Sequence, residues 1–296
     1  MIDRYKLVQL RNGTHSVHSL AEAETFHPGI GPAAEAEALH VRQLRLAERI
    51  GQTPEPLVIW DIGLGAAANA LTAIDIIQKN LAVSNVQPQS APPKKLRIVS
   101  FDQTTEAAAF ALQHAAELAY PIGYETELAA LIQNHSTVFS REGLQIEWTL
   151  ELGDFPSKIR NQKIAPAPHA ILFDPHSPKK NPAMWTVQLF TDLFRQLDPA
   201  RPCSLANFTR STLARTAMLL GGFFVGVGHA SGLKEETTVA ANRMELLAEP
   251  LEQLWLERAK RSGSAEPLRE PVYQQAPVSA ETWERLRQHP QFRSEQ

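Results

Sequence analysis

The chain has 296 residues, 43% hydrophobic and 21% charged, with a formal net charge of −3 and one cysteine, Cys203. That composition supplies one large α/β core; it excludes an internal disulfide framework and a multi-cysteine metal site, and it lacks the basic excess that phosphate recognition usually leaves. No apolar run reaches the ~20 residues of a membrane span, and the first six residues, with Asp3, Arg4 and Lys6, are too charged to open a secretory signal, so a reducing cytoplasm is expected.

From the N-terminus, residues 6–10 and 15–20 flank Asn12-Gly13, which predicts a hairpin closed by a type I′ turn. Residues 22–32 form a loop dense in glycine and proline that carries Glu24, Phe26 and His27; taken singly, Glu24 and His27 read as turn or capping residues. A helix is predicted over 33–50 with Leu39, Leu44, Leu46 and Ile50 buried. After the break at Thr53-Pro54-Glu55-Pro56 comes an apolar strand, a turn with Gly63 and Gly65, and an alanine-rich helix. Such glycines let the backbone approach a cofactor at the head of a helix, where free N–H groups await a polar ligand. The pair is weak evidence alone, and Ala67 at the third glycine position counts against pyrophosphate binding, hence against a nicotinamide-dependent oxidoreductase.

Residues 84–95 read as an exposed linker. The next strand, 96–101, ends in Asp102, an acid placed to accept hydrogen bonds from ribose hydroxyls. Asp61, Asp102 and the glycine turn together point to a nucleoside cofactor. Helices over 106–119 and 125–134 lead to a strand at 144–150, with Gly153-Asp154 just past its end, where Asp154 faces a base or caps the following helix. Strands at 169–173 and 203–208, a helix over 211–219 and an antiparallel pair at 223–228 and 236–241 complete a Rossmann-like α/β pattern: a mostly parallel seven-stranded sheet with a C-terminal antiparallel hairpin, which fits the class I methyltransferase fold. The expected layout is an N-terminal extension (1–56), the methyltransferase domain (57–242), and a C-terminal helix over 243–262 followed by a loosely attached tail to 296.

The segment from Asp174 to Trp185, Asp-Pro-His-Ser-Pro-Lys-Lys-Asn-Pro-Ala-Met-Trp, follows a buried strand at its carboxyl end, the side of an open α/β sheet where ligands collect. Pro175, Pro178 and Pro182 forbid helix and stiffen the loop, so Lys179, Lys180, Asn181 and Trp185 are presented from a shaped surface. The competing reading makes Asp174 a helix cap and Trp185 a core anchor. Lys158, Arg160, Lys163, Arg195, Arg201, Arg210 and Arg215 join Lys179 and Lys180 in a locally basic stretch, which is either one face or scattered surface charge. No metal-ligand cluster is assignable from spacing, and none is expected.

Several of these segments resemble the methyltransferase domain of the MnmC family of tRNA 5-methylaminomethyl-2-thiouridine biosynthesis proteins and its stand-alone relatives. Asp174, Pro178, Lys180, Asn181, Pro182, Met184 and Trp185 match the family segment Asp-Gly-Phe-Ala-Pro-x-Lys-Asn-Pro-x-Met-Trp. Ile62 through Asn69 is similar to its Ile-Gly-Phe-Gly-Thr-Gly-Leu-Asn, Glu24 through Glu35 to its Glu-Thr-Tyr-His stretch, and Phe208-Thr209 to its Tyr-Thr. The resemblance, over residues 10–242, implies S-adenosyl-L-methionine as cofactor, held by Asp61, Gly63, Gly65, Asn69, Asp102, Gly153 and Asp154. It implies tRNA, at the anticodon loop, as substrate, with N-methylation of a wobble 5-aminomethyl-(2-thio)uridine supplied by upstream modification enzymes. Asp174 is the implied catalytic residue, with Glu24, His27, Pro178, Lys180, Asn181, Trp185, Phe208 and Thr209 on the substrate side; Trp185 or Phe208 could stack on the base. The flavin-dependent oxidase domain of the bifunctional family members is not expected in a chain of this length. Pro175, His176 and Ser177 depart from the family's Gly-Phe-Ala, and Ala67 from a glycine. Those departures leave open a different amine as acceptor, in a small molecule or a protein, or a non-catalytic module that binds RNA or protein.

Overall fold

The computed structural model describes residues 4–52, 55–83, 92–231 and 235–293. Most of the linker expected at 84–95, and Thr53 and Pro54 of the expected break, lie outside them. The strands are β1 (Tyr5–Gln9), β2 (His15–Ser19), β3 (Glu24–Thr25), β4 (Leu57–Ile62), β5 (Lys94–Asp102), β6 (Ser136–Arg141), β7 (Leu144–Leu152), β8 (Ala170–Phe173), β9 (Ser204–Asn207), β10 (Phe224–Gly228) and β11 (Thr237–Ala241). The first three form a small antiparallel sheet, and the rest an eight-stranded sheet in the order β10-β11-β9-β8-β4-β5-β7-β6.

Strands β4, β8 and β9 are buried at every residue, because both faces of the sheet are covered. Side chains alternate between the two layers: Val58, Trp60 and Ile62 join one apolar cluster with Phe101, Phe173 and Phe190, while Leu57 and Ile59 join another with Leu71, Ile74 and Trp148. The neighbours β9, β8, β4, β5 and β7 run parallel. The chain lays down β4, proceeds to β5 and β7 on one side, then returns to β8 on the other. The crevice beyond the tips of β4 and β8 is therefore the place where connections diverge and ligands lodge.

The main sheet has eight strands where seven were expected. The additional one, β6, pairs with β7 through a two-residue turn in which Glu142 and Gly143 both take positive φ (45° and 80°), the type I′ geometry. That geometry had been expected at Asn12-Gly13. There only Gly13 is left-handed, and a five-residue loop is held by the Asn12 side chain accepting from the Thr14 amide. The helix expected over 33–50 is broken into Pro32–Ala36, a π-helical turn Glu37–Arg42 and Leu46–Gln52, with Arg45 at φ 53° between the last two. Its predicted apolar positions are nonetheless all buried.

The C-terminal segment corrects the expectation of a loosely attached tail. Within 243–262 only Gln253–Arg261 is α-helical, after a short 3-10 turn at Met244–Leu246, but Leu251, Leu256, Leu268, Leu286 and Phe292 all enter the core. The segment also closes the sheet edge: Val227 donates to Glu249 O (2.8 Å), Leu251 donates to Val225 O (2.9 Å), and the Gln291 side chain bonds both the N–H and the C=O of Val225. Unpaired groups on β10 would otherwise invite another strand. Leu286→Ala is expected to cost about 2–4 kcal/mol of stability, read as a lower urea midpoint; a loose tail would leave the midpoint unchanged. Among the described residues no helix is long and apolar enough to cross a membrane.

Candidate functional site

The turn after β4 sets the geometry. Gly63, at φ 94°, lies so close to β8 that a Cβ there would sit 2.8 Å from the Asp174 carbonyl oxygen. Gly65, at φ 50°, donates its N–H to Asp102 Oδ2 at 2.8 Å, while Asp102 Oδ1 receives the amides of Gln103 (2.6 Å) and Thr104 (3.3 Å). Burial raises the Asp102 carboxyl above its ordinary range, and the three backbone donors oppose the rise. Ala67, in place of a third glycine, still adopts φ 63°, and the chain then enters the helix Ala68–Val83.

Facing this turn, the Asp174 amide bonds Ile62 O (2.9 Å), which brings the carboxylate to the mouth of the β4/β8 crevice. Asp174 Oδ2 accepts from Asn69 Nδ2 at 2.8 Å and lies 3.6 Å from His27 Nε2. Behind His27, Glu35 accepts the amides of Gly29 and Ile30 and so holds the loop that presents the imidazole. The following loop is clamped from the small sheet by Glu24, whose carboxylate accepts from Ser177 N (3.3 Å), from the Ser177 hydroxyl and from His176 Nδ1 (3.2 Å). Trp185 lies beneath it, 0% exposed, with its Nε1 donating to His176 O at 2.9 Å.

These elements enclose a cavity of about 810 Å³, within the size range of small-molecule sites. Of the residues singled out in the sequence, Glu24, His27, Gly63, Gly65, Asn69, Asp102, Gly153, Asp154, Asp174, Lys180, Asn181 and Phe208 line it. Pro178, Thr209, Trp185 and Asp61 do not. Trp185 cannot stack on a substrate base, because it is wholly packed against Phe173, Phe190 and Phe208 as the anchor of the loop. Thr209 is spent on the turn after β9, its hydroxyl accepting from Ser211 N and its carbonyl from Thr238. Asp154 caps the helix Phe155–Asn161 through Ser157 N (2.9 Å) and also lines the cavity. Phe26, His176 and Met184 also line the cavity and were not selected as site residues; the position of Phe26 between Glu24 and His27 was the available signal.

Asp61 is a core acid rather than a cavity one. The strand alternation turns it toward the helix Ala68–Val83, where Oδ2 accepts from the Ser100 hydroxyl at 2.7 Å, Ser100 in turn receives Trp148 Nε1, and Oδ1 has no hydrogen-bond partner among the described residues. Burial pushes its carboxyl up to about 7; the Ser100 hydrogen bond pulls it back, while Asp174 and Asp102 push it further. Between the ordinary carboxylate range and about 7, the folded chain therefore keeps a proton that the unfolded chain has released. Stability falls as pH rises through that window, by an amount on the order of 4 kcal/mol at most. Asp61→Asn is expected to flatten this fall; urea midpoints at several pH values across the window check it, and parallel profiles for the two proteins would refute it.

The basic stretch resolves into separate roles. Lys158 pairs with Glu151, Arg160 and Arg195 with Asp192, Arg201 with Glu55, and the buried Arg215 with Glu236 and Thr238. Lys163 bonds two carbonyls. Lys179, Lys180 and Arg210 are exposed and carry no ion pair among the described residues. Among those residues there is also no group of three or more His, Cys, Asp or Glu able to hold a metal ion.

A family model described as S-adenosyl-L-methionine-dependent methyltransferase matches residues 124–243. The donor set suits that cofactor: a glycine turn open to close approach, a carboxylate at the tip of β5 and a polar crevice of sufficient volume. The chain has the class I S-adenosyl-L-methionine-dependent methyltransferase fold, and the family match falls within it at residues 124–243. The tRNA 5-methylaminomethyl-2-thiouridine biosynthesis bifunctional protein MnmC of Aeromonas hydrophila is 28% identical over 78% of this chain and 34% of its own length, and that of Ectopseudomonas mendocina 30% over 58% and 25%. The crystal structure of MnmC2 from Aquifex aeolicus superposes with a TM-score of 0.66 at 20% identity, over 90% of this chain and 79% of that one. Within that fold the chain is similar to the methyltransferase part of MnmC proteins, and it spans a quarter to a third of the length of the curated relatives it matches.

Proposed function

We propose that the chain N-methylates the 5-aminomethyl group of the wobble (2-thio)uridine in tRNA, giving the 5-methylaminomethyl form. The observation that carries this reading is the placement of Asp174, whose carboxylate enters the cavity beside the glycine turn and is oriented by Asn69. S-adenosyl-L-methionine, when bound, supplies an electrophilic methyl group on a sulfonium sulfur. Gly63, Gly65 and Asn69 would hold its amino-acid end and Asp102 its ribose hydroxyls, with Gly153 and Asp154 toward the base. Asp174 accepts a hydrogen bond from the substrate amine and aims its lone pair along the line of transfer, a positioning effect. Phe208 offers the aromatic face for an extruded uridine, the place first considered for Trp185. Lys179, Lys180 and Arg210, free of ion pairs among the described residues, take backbone phosphates. The substrate would be made by enzymes that install the aminomethyl group on tRNA, and the reaction is proposed to run in the cytoplasm with them.

The test is methyl transfer from labelled S-adenosyl-L-methionine to tRNA carrying 5-aminomethyl-2-thiouridine, followed by nucleoside mass spectrometry. A gain of one methyl on that nucleoside is expected. Transfer to free small amines but not to this tRNA would overturn the substrate, and no binding of the cofactor would overturn the activity.

A further inference from the structure

The loop that departs from the family pattern holds an acid–base pair that the reading above does not use. His176 Nδ1 lies 3.2 Å from Glu24 Oε2, and the same carboxylate is fixed by the Ser177 amide and hydroxyl. A carboxylate offers acceptors only, so the hydrogen at this contact sits on Nδ1 and the neutral ring keeps its lone pair on Nε2. The ring packs against Phe26 with centroids 5.7 Å apart, and its backbone carbonyl is held by Trp185. It lines the Asp174 cavity with its side chain 30% exposed, and Nε2 has no hydrogen-bond partner among the described residues.

We infer that His176 Nε2 is the proton acceptor for the substrate ammonium and that Glu24 is the residue that positions and charges it; this rests on the amine-methyltransferase reading. An alkylammonium has no lone pair until it loses a proton, and a carboxylate of ordinary strength is too weak a base to remove one. The ammonium passes one proton to Nε2, giving a neutral amine and an imidazolium that Glu24 faces. The amine lone pair then forms the N–C bond while the C–S bond breaks and its electrons stay on sulfur, leaving a secondary ammonium and a neutral thioether; the imidazolium returns its proton to solvent. Asp102 from the tip of β5, Asp154 beyond β7, Asp174 beyond β8, Glu22, Glu35 and His27 face the same space, with Lys180 on the loop itself and Arg4 paired with Glu106. Carboxylates predominate, which favours the imidazolium as it forms.

The experiment measures single-turnover methyl transfer to tRNA carrying 5-aminomethyluridine, from about pH 6 to about pH 10, for the wild type, His176→Phe and Glu24→Gln. His176→Phe is expected to be slower by roughly 10²-fold near neutral pH, with the gap closing at high pH where the amine loses its proton unaided. Glu24→Gln is expected to move the acid limb to lower pH, because the imidazolium loses its counter-charge. A gap constant at every pH, or no gap, overturns the role of His176 while leaving the amine-methyltransferase reading intact. If His176→Phe does not fold, the Glu24→Gln limb decides, and an unshifted limb overturns the proposal. A wild type that does not methylate this RNA overturns the proposed function and this inference with it.

Discussion

Asp174→Ala is expected to lower turnover by roughly 10²–10³-fold while the affinity for S-adenosyl-L-methionine, measured by calorimetry, changes only a few-fold. The separation follows from the site. Of the residues assigned to the cofactor only Asn69 bonds the Asp174 carboxylate; the glycine turn and Asp102 keep their own hydrogen bonds when it is removed. What is lost is the group proposed to aim the amine, and misaligned reactants forfeit much of the gain from proximity. The change also strips Asn69 Nδ2 of its acceptor in a buried position, at a cost of about 1–3 kcal/mol in stability. Asp174→Asn separates the two effects, since it preserves shape and an acceptor oxygen. Loss of cofactor affinity with turnover intact would overturn the role of Asp174.

Gly63→Ala is expected to damage both binding and turnover. A methyl group at this position meets the Asp174 carbonyl carbon at 3.1 Å and its oxygen at 2.8 Å, on backbone that cannot swing aside as a side chain would. The residue also sits at φ 94°, outside the conformations open to alanine without strain. Strain and overpacking together cost about 2–4 kcal/mol of stability. The bond from Asp174 N to Ile62 O must lengthen, carrying the carboxylate out of line, and a displacement near 1 Å is enough for a loss of roughly 10²-fold in kcat/KM. Thermal unfolding and steady-state kinetics on the same preparation check both parts. A variant with wild-type kcat/KM would show that the close approach of β4 and β8 is not needed for catalysis.

Local patterns in the chain were enough to determine the parallel strands, because β4, β8 and β9 are buried on both faces and their apolar runs need no partner to be recognised. The same holds for the glycine turn and for the acid at the tip of β5, whose roles depend on backbone conformation and strand ends that short motifs encode. The loop from Asp174 to Trp185 was legible through its prolines and the resemblance it carries. Strand β6 was legible in principle, from a glycine after Glu142 flanked by alternating residues, but a short amphipathic edge strand gives a weak signal beside a strong helix.

Only the tertiary structure decided which way side chains turn and what they meet. Asp61 and Asp102 are alike as acids near strand ends, yet one is enclosed in the core and the other reaches the cavity, because the register pairs Asp61 with Ser100 and leaves Asp102 two residues further along the same face, at the tip of its strand. Trp185 and Phe208 were equal candidates for stacking until packing buried the first and left the second at the cavity wall. The clamp of Glu24 on His176 and Ser177 joins residues 152 and 153 positions apart, and the closure of β10 by Gln291 spans 66. Contacts at such separations arise from the way the layers stack, and no local periodicity in the sequence records them.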